Sequence, residues 1–296
     1  MVPYLRWMAD AVDDVARALL AVADGRPTEA ARLARGSGTA LGALLADHVA
    51  TAPAGGVYEE PRAFADFISG GGNVGLYAAT IAALGSLHAR ERPGSLVDLG
   101  CGDGRVTAAV VPDGCREVVL VEPSAALLAA AQARLAGRVP AVTGHNTTLA
   151  GYLDEAPPPV DAAQATYALH TVEPGARPAL LAALAERIGL LAVAEFDVPG
   201  FTDRSPAHAA YAAERYPRGL AEYPEGSEVG PGFLVPVLVA QFDPGRPRLT
   251  WEQPVAAWVA ELEAAGYRVD DVVDLHDYWW APARLIVARP ARLAPC

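Results

Sequence analysis

Val97-Asp98-Leu99-Gly100-Cys101-Gly102-Asp103-Gly104 stands where a short apolar run turns into a helical one. Glycines belong at such a turn for two reasons. They accept the unusual φ values of a tight bend, and without a Cβ they let a ligand lie against the backbone. The free N–H groups at the start of the following helix then face that ligand. Eighteen residues beyond Gly104, at the end of the next apolar run, comes Glu122. In an open α/β sheet a carboxylate at that position faces a bound ribose and accepts hydrogen bonds from its hydroxyls. Loop and carboxylate together specify a nucleoside site.

Two cofactor classes compete for such a site. A dinucleotide loop reads G-x-G-x-x-G, with its third glycine at position 105. Here Arg105 stands at that place and the spacing is G-x-G-x-G. Asp98, two residues before the first glycine, is also unsuited to the side of a pyrophosphate. A zwitterionic methionine tail with a sulfonium tolerates it.

The elements that must carry these residues follow from periodicity. Leu5, Met8, Val12, Val15, Leu19 and Val22 form one apolar stripe on a helix, closed by Gly25 and Pro27. The stripe serves either packing within the chain or dimerisation. Further helices are predicted near 28–35, 39–50 and 73–89, with a loop at 51–56, so residues 1–92 form a helical region. The pattern then alternates. Strands are predicted at 95–99, 117–121, 139–143, 161–166 and 189–196, and helices at 105–111, 124–135 (Ser124 as N-cap) and 174–187. This alternation predicts an α/β fold with a parallel sheet covered on both faces. Residues 198–250, rich in Pro, Gly and Tyr, read as an insertion. A helix at 251–265 and strands at 267–275 and 284–288 complete the core, and Tyr278-Trp279-Trp280 is expected to plug the end of the sheet.

Composition narrows the partners. The net charge is −12 and all 23 basic residues are arginine, scattered rather than clustered. Neither nucleic acid nor an anionic membrane is expected as a partner. The Ala-rich, Lys-free usage reads as a high-GC bacterial coding bias. Three cysteines, Cys101, Cys115 and Cys296, show no metal-ligand spacing, so no metal is expected, and they fit a reducing compartment. With no signal peptide pattern and no uncharged apolar span of about 18 residues, a cytoplasmic protein is expected.

The segment 97–104 resembles the first motif of the class I S-adenosylmethionine-dependent methyltransferases, (V/L)-D-(L/I)-G-x-G-x-G. The resemblance runs from about residue 93 to 290. Residues 161–172, ending Tyr167-Ala-Leu-His170-Thr-Val, are similar to that family's fourth strand and its Leu-His-His continuation, with Thr171 in place of a second histidine. The resemblance implies a Rossmann-like, seven-stranded, mostly parallel sheet of order 3-2-1-4-5-7-6, with the N-terminal helical region as lid or dimer contact and 198–250 as a substrate cap. It implies that Asp98, Gly100, Cys101 and Gly102 line the methionine part, that Glu122 holds the ribose and that Pro123 packs on the adenine. Asn146 falls where many members bind the adenine amine with aspartate; otherwise it caps the helix near Thr147. Thr166 offers backbone contacts beside the amino acid moiety.

The same resemblance implies methyl transfer from S-adenosylmethionine to a small-molecule acceptor, leaving S-adenosylhomocysteine, as in bacterial specialised metabolism. The acceptor atom, O, N or C, stays open. His170, after strand four, is either the general base, with an ordinary pKa of about 6.5, or a packing residue. Glu195 either binds an acceptor amine or hydroxyl or sits in a local ion pair. Tyr167, Glu195 and Tyr223 are the candidate substrate contacts. Three glycines at 70–72 precede a helix; an N-terminal lid would bring Asn73 and Tyr77 to the cofactor, and the alternative is a packing turn. A fold that binds the cofactor yet catalyses a cyclisation or rearrangement is the competing function. A monomer or homodimer is expected.

Overall fold

Residues 95–99 and 117–121, Ser-Leu-Val-Asp-Leu and Glu-Val-Val-Leu-Val, are too continuously apolar for a strand with one wet face. The structure, a computed structural model, describes residues 3–51, 61–246 and 248–291, with side chains from 11 onward except 61. The elements run α1 (Pro3–Ala23), α2 (Pro27–Gly36), α3 (Ala40–Thr51), α4 (Pro61–Ser69), α5 (Asn73–Glu91), β1 (Ser95–Leu99), α6 (Arg105–Val110), β2 (Glu117–Val121), α7 (Ala125–Leu135) and β3 (Ala141–His145). There follow α8 (Leu149–Asp154), β4 (Val160–Thr166), a 3-10 turn Leu169–Thr171, α9 (Arg177–Ala185), β5 (Ile188–Phe196), α10 (Pro206–Ala221), a π-helical turn Gly230–Leu234, α11 (Val235–Phe242), α12 (Val255–Ala264), β6 (Tyr267–Asp277) and β7 (Pro282–Pro290).

The chain divides into two compact units. The second holds residues 75–199, 250–277 and 281 onward. Its seven strands lie in the order β3-β2-β1-β4-β5-β7-β6. The first five are mutually parallel, and β7 runs antiparallel to both β5 and β6. Alternate residues divide the sheet into two faces, as the strand period of two requires. Val97, Leu99, Val119, Val121, Ala163 and Leu191 pack with side chains of α8, α9 and α12. Leu96, Val118, Leu120, Ala162, Leu190 and Ala192 pack with those of α5, α6 and α7. The strand order reverses between β1 and β4, which opens a crevice at their carboxyl ends, the place where such sheets bind ligands.

The first unit holds residues 1–74, 200–249 and 278–280. The division thus falls beside the start of α5 and not at residue 92. In this unit α1 packs against α2, α10 and α11, and Val15 and Leu19 of its stripe are fully buried. Those two residues have no surface left for a second copy; Leu5 and Met8 lie outside the described side chains, as does most of the expected loop at 51–56. The insertion is helical, and α4 adds a helix that periodicity did not predict. Pro206, Pro231 and Pro236 sit in first turns, where the missing N–H costs nothing. Ser205 caps α10 by accepting from the His208 N–H.

Other boundaries shift. Strand β3 begins two residues later than predicted, because Pro140 cannot donate to the ladder. Helix α9 is shorter than 174–187 and α12 starts at Val255, after Pro254. The N-cap of α8 is Thr148, not Asn146. Tyr278-Trp279-Trp280 packs in the first unit: the Trp279 and Trp280 rings lie 5.3 and 5.5 Å from Tyr216, and Tyr211 donates to the Trp280 carbonyl. Among the described residues no single helix is long and apolar enough to cross a membrane.

Gly104 gives a test of the loop's packing. Its φ is +73°, and a Cβ there would meet the Cα and Cβ of Ala131 at 2.8 Å. Gly104→Ala is expected to lower stability by about 2–4 kcal/mol through backbone strain and overpacking, a drop of roughly 5–15 °C in Tm. At Gly102, with φ +54° and open space where a Cβ would go, alanine carries only the strain, about 1–2 kcal/mol. Thermal unfolding of the two variants checks this, and equal midpoints would contradict it.

Candidate functional site

The glycine loop crosses the carboxyl end of β1, where the sheet's own hydrogen bonding holds it. Gly100 and Cys101 both donate to the Val121 carbonyl, at 2.8 and 3.1 Å. Glu122, buried at the end of β2, accepts from the Gly102 N–H at 3.0 Å and from the Ser124 N–H at 2.9 Å. The carboxylate therefore closes onto the loop at a point where the backbone is open to a ligand. Arg105, in the place of a third glycine, clamps Asp103 with Nε–O distances of 3.0 and 3.1 Å, and its guanidinium lies 5.6 Å from the centre of the Tyr77 ring. Burial pushes the Tyr77 hydroxyl and the Cys101 thiol above their ordinary pKa values.

Asp98 lies beneath the loop, 2% exposed. One oxygen accepts from the Thr107 hydroxyl and, at 3.0 Å, from the Gln164 amide across the β1–β4 pairing. The other oxygen has no partner among the described residues, and neither does Gln164 Oε1 nor Thr166 Oγ1. Gln164 and Thr166 share one face of β4. Three acceptors without donors thus lie at the ends of the two central strands. Burial raises the Asp98 pKa to about 6; the bonds from Thr107 and Gln164 oppose that rise and the charge of Glu122 adds to it.

A cavity of about 260 Å³ adjoins the loop, with Gly100, Pro123, Leu149, Leu169, Thr171 and Leu180 among its walls. It is largely apolar. Asn146 donates to the carbonyls of Glu122 (3.0 Å) and Pro123 (2.9 Å), which fixes the turn after β2.

After β4 and at the end of β5 two side chains meet that are 25 residues apart in sequence. His170 donates from Nδ1 to Glu195 Oε2 at 2.8 Å and from its backbone N–H to Oε1 at 3.1 Å. Both oxygens of Glu195 are taken by His170, and Glu195 is 1% exposed. The local ion pair, rather than a free carboxylate awaiting a substrate, is what the chain forms. The His170 carbonyl accepts from the Trp251 N–H at 2.7 Å. Burial pulls the imidazole pKa down, but the charge and hydrogen bond of Glu195, with help from Glu252, outweigh it and push it up to about 9.

Tyr167 adopts φ +51°. Its ring stacks on Phe196 at 4.8 Å, stands edge-on to Tyr77 at 6.1 Å, and its hydroxyl meets Thr80 at 2.8 Å. Asn73 and Tyr223 belong to the first unit and bond each other at 3.1 Å; Asn73 also accepts from Tyr278. The glycine triplet is a packing turn: a Cβ at Gly71 would meet the Tyr223 ring at 2.9 Å, and Gly72 donates to Glu222. Thr107 and Gln164, which hold Asp98, escaped sequence reasoning. A lone glutamine inside Ala-Ala-Gln-Ala was the signal for the second, since a buried amide needs a polar partner.

The family model described as a methyltransferase domain matches residues 96–188. No curated protein matches the chain in sequence. Among solved structures, mitomycin 7-O-methyltransferase is 16% identical, with 90% of this chain and 71% of that one covered and a TM-score of 0.50. Magnesium protoporphyrin IX methyltransferase from Synechocystis PCC 6803, in a structure with bound SAH, is 14% identical over 74% of this chain and 84% of its own, with a TM-score of 0.50. At such identities the likeness is one of fold. The family match gives residues 96–188 a methyltransferase domain, and the sheet order and these likenesses show a Rossmann-like methyltransferase fold. Its methyltransferase domain is the part of the second unit that carries the loop, Glu122 and His170.

Proposed function

We propose that the protein transfers a methyl group from S-adenosylmethionine to a small-molecule acceptor with an ionisable hydroxyl, and that His170 is the general base. The hydrogen-bonded His170–Glu195 pair at the ends of β4 and β5 carries this reading. The cofactor supplies a methyl group already activated on a sulfonium. The residues fit it. Gly102 leaves room for a ligand against the backbone, Glu122 suits two ribose hydroxyls, and the cavity beside Pro123 suits adenine. The unpartnered oxygens of Asp98, Gln164 and Thr166 suit an ammonium group.

Glu195 fixes the imidazole so that Nδ1 carries a proton and Nε2 is the atom left to take one. When the acceptor hydroxyl is methylated, its proton would pass to Nε2 of His170. A base with a pKa near 9 is matched to phenol-like hydroxyls of pKa about 10. Alignment and exclusion of water supply the rest.

Incubation with methyl-labelled S-adenosylmethionine, a panel of phenols and amines, and a bacterial metabolite extract tests the reading. Label in a hydroxyl product supports it. Product without label would instead support a cyclisation or rearrangement, and label confined to amines would remove the hydroxyl assignment. A second measurement isolates the cofactor. Glu122→Ala is expected to weaken S-adenosylhomocysteine binding by about 1.5–3 kcal/mol, roughly 10–150-fold in Kd. Calorimetry giving wild-type affinity would take Glu122 out of the ribose site.

A further inference from the structure

Tyr167 directly follows β4 and carries a φ of +51°. A bulky side chain is unfavourable in that left-handed region, which glycine enters freely. Such a conformation persists only where the surroundings over-determine it. Here the side chain supplies the hold. Thr80, fully buried in α5, gives its hydroxyl proton to the Leu76 carbonyl at 2.8 Å. Its oxygen lies 2.8 Å from the Tyr167 hydroxyl and is therefore the acceptor, with Tyr167 the donor. Burial pushes the phenol pKa up, so that donor keeps its proton. The ring stacks on Phe196 at 4.8 Å, with 21° between the planes, and stands edge-on to Tyr77 at 6.1 Å.

The backbone around Tyr167 joins three parts of the site. The Tyr167 N–H donates at 2.8 Å to the carbonyl of Ala194, the residue before Glu195. Ala168 sits on the glycine loop, since a Cβ at Gly100 would come within 2.6 Å of the Ala168 Cβ. Thr171 closes the turn by donating to the Ala168 carbonyl at 3.0 Å, and His170 inside that turn bonds Glu195 with both its ring and its backbone N–H. Glu195 and Phe196 are consecutive in β5, so their side chains stand on opposite faces of the sheet. The Tyr167 ring meets Phe196 and packs with the core on the α5 side, while Leu169 packs with the core on the α9 side. The chain thus crosses from one face to the other between Tyr167 and His170, and the left-handed residue stands where the crossing begins.

Resting on the reading of His170 as general base, we propose that Tyr167 is a positioning residue for it: the ring and hydroxyl, locked between Phe196 and Thr80, hold the left-handed turn that sets the imidazole on Glu195 beside the glycine loop. The lock explains why a tyrosine stands where glycine would be strain-free. Its contacts offset the unfavourable φ, and in exchange the turn has one conformation instead of several. Thr80 then has a defined task as well. It anchors the phenol from α5, outside the strands that carry His170 and Glu195.

The first readout is exchange of the His170 Nδ1 proton with water, followed by NMR in the cofactor-free protein, so that it does not depend on activity. Tyr167→Gly accepts the positive φ without strain and removes the ring and hydroxyl. It is expected to speed that exchange by about tenfold or more, because a loosened turn opens more often. Thr80→Val removes the acceptor and leaves the ring stack, so a smaller rise is expected, about two- to tenfold for one lost hydrogen bond, and Thr80→Ser restores the wild-type rate. The second readout is turnover of a phenol. Tyr167→Gly should lower kcat by about 10–100-fold, the cost of a misplaced catalytic group. In a His170→Ala background the same change should cost less than about threefold, since it acts through His170. Unchanged exchange in Tyr167→Gly overturns the proposal, and so does an equal loss of kcat with and without His170. If that variant does not fold, Thr80→Val decides, and wild-type exchange there overturns it equally. Faster exchange in a protein that transfers no methyl group keeps the positioning of His170 and loses the functional reading.

Discussion

His170→Ala is expected to lower turnover by about 10²–10⁴-fold, the usual contribution of a positioned general base, with little change in cofactor affinity. The pH profile separates this from a packing role. His170 must be neutral to accept a proton, and Glu195 holds its pKa up at about 9. In the wild type kcat/KM should therefore rise about tenfold per pH unit up to that value and then level off. Glu195→Gln removes the charge that raises the imidazole and leaves burial, which lowers it. Its acid limb should move below pH 9, towards or under the ordinary histidine value of about 6.5, while its plateau rate falls because a weaker base remains. If His170 only packs, His170→Ala loses Tm or cofactor affinity first and both variants keep the wild-type profile. Steady-state rates from pH 6 to 10 with one methylated phenol tell these outcomes apart.

The His170–Glu195 pair also shows where sequence reasoning reached its limit. Each residue was legible alone, because each follows an apolar run that had to be a strand. Their partnership was not. It depends on β4 and β5 being parallel neighbours with Thr166 opposite Ala194, a register that no spacing records. The loop was different. Asp98, the glycines and Glu122 lie within one strand–helix–strand unit, so local order sufficed to place them. Long-range packing defeated the reading of the glycine triplet in the same way. Tyr223, 150 residues from Asn73, packs against it, and Gly71 also takes a φ of +52°. The helices within 198–250 were not predicted, since proline in a first turn and proline as a terminator look alike until the helix is seen.

Asp98 leads to the other large effect, in cofactor affinity. Its carboxylate is almost fully buried, one oxygen is bonded by Thr107 and Gln164, and the other has no donor. Burial has already raised its pKa to about 6. An ammonium group placed there favours the ionised form, so binding is linked to loss of the proton. Above pH 6 the carboxylate is ionised before the ligand arrives and Kd should be flat. Below pH 6 a proton must leave first, and Kd for S-adenosylhomocysteine should rise about tenfold per pH unit. Asp98→Asn removes the charge from a buried, hydrogen-bonded pair. A loss of about 2–5 kcal/mol is expected, roughly 30-fold to several thousand-fold in Kd, and the dependence between pH 5 and 8 should disappear with it. Methylthioadenosine, which has the nucleoside but no ammonium, supplies the control: neither pH nor the variant should change its affinity. A wild-type Kd for S-adenosylhomocysteine that stays flat down to pH 5 would exclude Asp98 from the ammonium site, and an equal loss for both ligands in Asp98→Asn would mean that the carboxylate shapes the glycine loop instead.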